Sequence, residues 1–200
     1  GITAPPDGSG TSRATTIGSA AAAFAGVAGN ESDVSADPIV RAFVDQRTVG
    51  DKPTIDAGHD VTITSTSRAK LFAESSNFTF GLLGASHGQS IALTDIDNDN
   101  QAYVATGAEI VAGHDLSVVS VAKHNLAANA DAQSGTGVGL TFAYADTSAD
   151  VDFSNRASVS DGASLKTGNT LSIVSETATK ADTYSNVYGN VEGGGDVNAD

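Results

Sequence analysis

Three carboxylates at alternate positions lie in the run Asp95-Ile96-Asp97-Asn98-Asp99-Asn100. Alternate residues of an extended strand share one face. Asp95, Asp97 and Asp99 would therefore offer a row of hard oxygen ligands of the kind calcium takes. The spacing is that of the first half of an EF-hand loop. However, Asn100 stands where that loop has its glycine, and Thr106 where it has its bidentate glutamate. The preferred reading is plainer: an exposed strand face whose apolar neighbours turn inward. Calcium is the one cofactor these residues suggest. Asp150 and Asp152 repeat the pattern with Val151 and Phe153 around them.

The histidines are the other residues capable of binding a metal. His59 and His114 occur in matching Ala-Gly-His-Asp stretches, whereas His87 and His124 have no matched partner. Ligands of one ion must lie within about 2.3 Å of it. If each repeat winds through three coils, His59 and His114 stand too far apart, so exposed turn histidines are expected. Carbohydrate chemistry would need paired carboxylates, or a cation with a basic residue, and no Gly-His-Gly or Arg-x-Lys motif occurs. A carbohydrate-active enzyme is thus a secondary reading, with Asp95, Asp97 and Asp99 its one acidic cluster; no catalytic residue is assigned. Thr62, Thr64 and Thr66 suggest a flat threonine array, but Ser117, Val119 and Val121 replace them one repeat later. Gly193-Gly194-Gly195-Asp196 resembles a glycine-rich calcium nonapeptide, but as a single partial copy it is a weak match.

Charge narrows the partners. The chain carries 24 acidic and 10 basic residues, a formal charge of −14. Phosphate backbones and anionic lipid surfaces both call for basic protein surfaces. Neither nucleic acid nor a membrane is an expected partner. With no cysteine, there is neither a disulfide framework nor a thiolate site. No apolar run of about 18 residues is present to span a bilayer. No signal peptide is visible in the first residues, and the chain reads as a fragment of a longer protein. Aromatic residues make up 6% of the chain, with 22 glycines and no Trp or Met, which suits a thin core of small side chains.

What must position these residues is a repeat. Ala57-Gly58-His59-Asp60 returns as Ala112-Gly113-His114-Asp115 and again as Thr167-Gly168-Asn169-Thr170, with 112 − 57 = 55 and 167 − 112 = 55. A fixed period of this size marks a repeat architecture. Ile55, Ile110 and Leu165 form one column at this period, and Gly58, Gly113 and Gly168 a second. Val61, Leu116 and Leu171 form a third, and Ile63, Val118 and Ile173 a fourth. Val61 and Ile63 share one face of a strand and Thr62 and Thr64 the other, a period-two pattern. The recurring glycine is expected to supply positive φ in a tight turn before each strand.

Upstream, Arg41-Ala42-Phe43-Val44, Gln101-Ala102-Tyr103-Val104 and Arg156-Ala157-Ser158-Val159 read as one strand in three copies. The first two copies are 101 − 41 = 60 apart, which predicts a longer loop around Asp45 to Lys52. Residues 1–18 read as an irregular N-terminal segment. The alanine-rich run from Ser19 to Gly26 suits a strand or a short helix, with the strand preferred. Residues 19–200 read as a single β-solenoid, with units of approximately 19–56, 57–111, 112–166 and an incomplete 167–200. Fifty-five residues fit about three coils of roughly 18 residues, each rising about 4.8 Å, so a rod of roughly 50 Å is expected.

The pattern Gly107-Ala108-Glu109-Ile110-Val111-Ala112-Gly113-His114-Asp115-Leu116, flanked by alternating strands, resembles the repeats of large bacterial surface adhesins. Gly162-Ala163-Ser164-Leu165-Lys166-Thr167-Gly168-Asn169-Thr170-Leu171 follows it less closely, and Lys52-Pro53-Thr54-Ile55-Asp56 departs from it. The similar families are filamentous-haemagglutinin-type and leukotoxin-type filamentous adhesins and giant repetitive secreted proteins. The resemblance covers roughly residues 32–190. It implies an all-β, right-handed parallel β-helix at the bacterial cell surface, and no catalytic residue. The expected function is a structural or adhesive extracellular segment whose partner is a cell-surface or matrix ligand. A filament subunit that self-associates end to end is the alternative.

Overall fold

In the computed structural model the chain is all-β, and no helix occurs among the described residues, which are 9–46, 50–191 and 195–199. The strands in chain order are β1 (Ser9–Ala22), β2 (Ala25–Ala36), β3 (Ile39–Val44), β4 (Thr54–Ala57) and β5 (Val61–Val104). They continue with β6 (Glu109–Ala112), β7 (Leu116–Val159), β8 (Ser164–Thr167), β9 (Leu171–Val191) and β10 (Gly195–Ala199). Every pairing among them is parallel. β1, β2 and β3 lie along β5, which lies along β7, which carries β9 and β10 on its other edge; β4, β6 and β8 form a separate narrow sheet. The protein is a parallel β-solenoid.

Its register corrects the expected winding. Val61 stands beside Leu116 and Val104 beside Val159, and β7 meets β9 from Leu116 beside Leu171 onward. From β4 through β8 each paired residue thus stacks on the one 55 positions later. One repeat is one turn of the solenoid, not three coils. About four rungs at roughly 4.8 Å make a stack about 19 Å high, so the expected 50 Å rod is replaced by a broad slab.

Each turn is wide because its long strand doubles back. Ser75 and Ser90 hydroxyls meet at 2.8 Å, Ser67 donates to the Asn98 side-chain carbonyl at 2.6 Å, and Asn77 donates to the Gln89 carbonyl at 3.0 Å. Residues of an outgoing limb, 61–80, therefore face those of a returning limb, 86–104. About twenty residues per limb at 3.3 Å give a slab roughly 65 Å across. The bend lies at residues 81–85, where Gly84 has a φ of 108°. Odd-numbered residues such as Ile63, Leu71 and Ala73 point inward before the bend, and even-numbered ones such as Ala92, Ile96 and Val104 after it. The phase switch marks the corner.

The interior between the limbs is partly apolar and partly polar. At the closed end, Ile63, Val104, Ile110, Leu116 and Val118 are packed with small alanines. Further out, Leu71, Ile96 and Leu126 form a second cluster with Ala73, Ala92 and Ala130. Full burial of such a side chain contributes about 1.5–3 kcal/mol. Between the two clusters runs a hydrogen-bonded ladder. Ser65 donates to the Asn100 side-chain carbonyl, Asn100 Nδ2 donates to Asn155 Oδ1 at 3.0 Å, and Asn155 Nδ2 donates to Thr177 Oγ1 at 2.9 Å. The period-two pattern correctly predicts which face is inward but not that asparagine would fill it.

The recurring glycines have a different reason from the one expected. Gly58, Gly113 and Gly168 are not among the glycines with positive φ. A Cβ on Gly113 would stand 2.2 Å from the Gly58 carbonyl oxygen, and one on Gly168 equally close to that of Gly113. Close approach of successive rungs excludes the side chain there. Positive φ belongs instead to Gly107 and Gly162, both at 73°. Each sits in a four-residue turn closed by Ala108 N–H to Ala105 C=O and Ala163 N–H to Ser160 C=O. Positive φ at the third position is the type II requirement that glycine meets.

One N-terminal reading changes and another holds. β1 begins at Ser9 and pairs with β5 from Arg68 onward, so residues 9–18 belong to the solenoid rather than to an irregular segment. The preferred strand reading of the alanine run holds for Ser19–Ala22. The expected long loop is also present: the offset falls from 60 at β3 to 55 at β4, placing five extra residues between Val44 and Thr54. Gly193 and Gly194 of the glycine-rich tail lie outside the described residues.

Candidate functional site

Two places bring ionisable side chains together, the carboxylate row on β5 and the corner that precedes each long strand. In the row, Asp95 and Asp97 point outward while Ile96, Asn98 and Asn100 are buried. One repeat per turn puts Asp150 directly beside Asp95 and Asp152 beside Asp97, about 4.8 Å away, whereas a three-coil repeat would separate them by about 14 Å. The Asp97 carboxyl is pushed up from its ordinary value, first by desolvation and then by Asp37, Asp152, Asp95 and Asp99. Asp99 goes the other way. It meets the Arg41 guanidinium at 2.6 Å and accepts from Gln101 at 2.6 Å, and these hydrogen bonds hold its carboxyl low. Asp95, Asp97 and Asp99 form a line along one strand; their oxygens do not converge on a point.

Convergence occurs at the corner. Among the described residues, one group of three ligand-bearing side chains has its donor atoms within 4.8 Å of one another, namely Asp60, His114 and Asp115. His114 Nδ1 stands 3.2 Å from Asp60 Oδ1 and 3.2 Å from Asp115 Oδ2. The backbone holds both carboxylates. Asp60 Oδ1 accepts the Asp115 N–H at 3.0 Å, while Asp115 Oδ1 accepts the Thr170 N–H at 3.0 Å and Asn169 Nδ2 at 2.9 Å. The Thr170 N–H, first among several causes, draws the Asp115 carboxyl below its usual range. Each aspartate of the repeated motif thus ties its own rung to the next.

The separation invoked against a shared histidine site does not hold at this period. His59 and His114 occupy adjacent rungs, and the His59 carbonyl accepts the His114 N–H at 3.3 Å. The imidazole of His114 turns to Asp60 rather than to His59. The signal for that meeting is the 55-residue repetition itself, which at one turn per repeat sets successive copies of the motif on adjacent rungs. His124 is a second correction. Expected in an exposed turn, it lies in β7, is 4% exposed, has its ring 6.4 Å from that of Phe153, and is held low in pKa by burial.

A third feature has no counterpart in the sequence reading. Around the far bend Phe24, Leu82, Leu83, Val138 and Leu140 are each about half exposed or more, and Leu83 and Val138 occupy the same position on successive rungs. Beside this edge, Phe78, Phe80, Gln133 and Tyr188 line a shallow groove that crosses the rungs. No family model matches the chain, and no curated protein or solved structure matches it.

Proposed function

We propose that the chain is a structural and adhesive segment of an extracellular, repetitive bacterial surface protein, a solenoid slab that displays binding surface toward a cell-surface or matrix ligand. The observation that carries this reading is the single in-register stack of 55-residue turns. Such a stack fixes the inward columns and leaves the outward positions free to vary, as a display scaffold requires. The apolar far edge supports it, because contiguous exposed apolar residues mark interaction sites. The high negative charge keeps such a scaffold soluble and self-repelling.

The test is labelling of intact cells of the source organism with an antibody raised against the segment, paired with adhesion of segment-coated beads to host cells or matrix. Surface labelling without permeabilisation, together with adhesion that drops several-fold for Leu83→Ser/Val138→Ser, is the expected result. Labelling only after lysis overturns the location. Adhesion equal to that of uncoated beads overturns the adhesive role.

A further inference from the structure

At the corner made by Asp60, His114 and Asp115, three ligand atoms lie within 4.8 Å of one another. We propose that this corner binds one divalent transition cation of the zinc class, a site created where two copies of the Ala-Gly-His-Asp motif stack on each other. Ligand atoms each about 2.0–2.1 Å from a zinc ion, at the tetrahedral angle, stand roughly 3.3 Å apart. His114 Nδ1 lies 3.2 Å from each of the two carboxylate oxygens, so both of its ligand pairs already have that spacing.

The alternative occupant of the same gap is a proton, which suits it less well. One N–H on Nδ1 points at one oxygen, yet two face it at equal distance. A cation set between the three atoms meets both oxygens and the imidazole lone pair together. One nitrogen and two carboxylate oxygens form a borderline donor set, which suits zinc and its first-row neighbours. Calcium takes six to eight oxygens instead.

The surroundings prepare the ligands. Asp60 is fixed by the Asp115 N–H and Asp115 by the Thr170 N–H and the Asn169 amide. Outer partners of this kind orient carboxylates before metal arrives. The side chains of Asp60 and His114 are more than half exposed, which leaves the remaining coordination position open to water or to a donor from another molecule.

The site also has a rule of occurrence. Asp60 comes from one copy of the motif, and His114 and Asp115 from the next. In the third copy Asn169 and Thr170 replace the histidine and aspartate. The next junction, built on Asp115, therefore carries an amide in place of the imidazole, and the chain holds one site rather than two.

Isothermal titration with zinc chloride in chelator-free buffer tests this on the full chain. One ion per chain is expected for the unmodified protein and for His87→Gln, and none for His114→Gln, with circular dichroism showing unchanged β structure. Asn169→His/Thr170→Asp rebuilds the motif in the third copy and is expected to raise the stoichiometry to two. Absence of zinc binding overturns the proposal. So does equal binding by the unmodified protein and His114→Gln, which would place the ion elsewhere. A stoichiometry that stays at one in the rebuilt variant overturns the stacking rule.

Discussion

Gly58 and Gly113 occupy the same place in the same motif but are under different constraints. A Cβ on Gly113 would lie 2.2 Å from the Gly58 carbonyl oxygen, whereas one on Gly58 would meet nothing within 4 Å. Neither has positive φ, so the backbone accepts alanine at both and only the neighbouring rung objects. Gly113→Ala is expected to cost about 1–3 kcal/mol, the usual range for overpacking. Gly58→Ala should stay within about 0.5 kcal/mol of the parent, as a surface substitution does. Chemical denaturation of the two variants side by side checks the pair, and equal losses would return the glycine to a conformational role. Asn100 shows why reading residue by residue has limits. In the sequence it stands as a misfit in a calcium loop; in the structure it is an inward rung of an amide ladder. Ile96, Ala102 and Val104, at even positions on either side, mark its face as inward, but the partners that satisfy its amide are Ser65 and Asn155, the latter 55 residues away.

At the scale of the element, the returning limb of β5 sets opposite electrostatic effects two residues apart. Asp97 has its carboxyl raised in the fold, so its charged form destabilises the native state; the loss begins as pH rises through the unfolded value and is complete above the folded one. Asp99 has its carboxyl lowered, so its contribution is present above the unfolded value and disappears as pH falls through the folded one. At neutral pH and low salt, Asp97→Asn should therefore raise the thermal midpoint and Asp99→Asn should lower it. Below the carboxylate range both differences should vanish. Midpoints followed from pH 7 into acid check the signs, and a drop for Asp97→Asn at neutral pH would contradict a carboxyl raised by desolvation and by its acidic neighbours. The strands themselves were legible in the sequence, since Val61, Ile63, Leu116 and Val118 announce both period and face. The bend was written there too, as the shift of small and apolar residues from odd positions before Gly81 to even positions after Ala85. Serine, threonine and asparagine occupy many inward positions and blur that alternation.

For the molecule as a whole, a 55-residue period tells how often the chain returns to the same environment, not how many times it goes round in between. The strand pairing that sets each residue of β5 beside the one 55 later fixes that number at one, and contacts across the interior, such as Ser67 with Asn98 and Ser75 with Ser90, show the two limbs of that single turn facing each other. The consequence can be tested by subtraction. Deleting residues 61–115 joins Asp60 to Leu116, the register partner of Val61, and should give a folded, thinner solenoid with a smaller denaturant slope, as less surface is buried. Deleting residues 71–124 removes one residue fewer than a turn and, with its junction inside a strand, leaves the downstream chain one position out of step. A one-residue slip turns every side chain to the opposite face, so that variant should fail to fold. Circular dichroism and gel filtration of both deletions check the difference.

The same winding sets how the molecule would behave under tension. A turn adds about 4.8 Å to the height of the stack, yet the 55 residues wound into it reach roughly 190 Å when drawn straight. A turn peeled from the edge of the stack would thus lengthen the chain by about forty times what it contributed while wound. Its parallel hydrogen bonds would break in succession along the rung, as a seam opens, rather than all together. Pulled from its ends, the slab is a spool: a short object that stores a long tether and releases it a whole turn at a time.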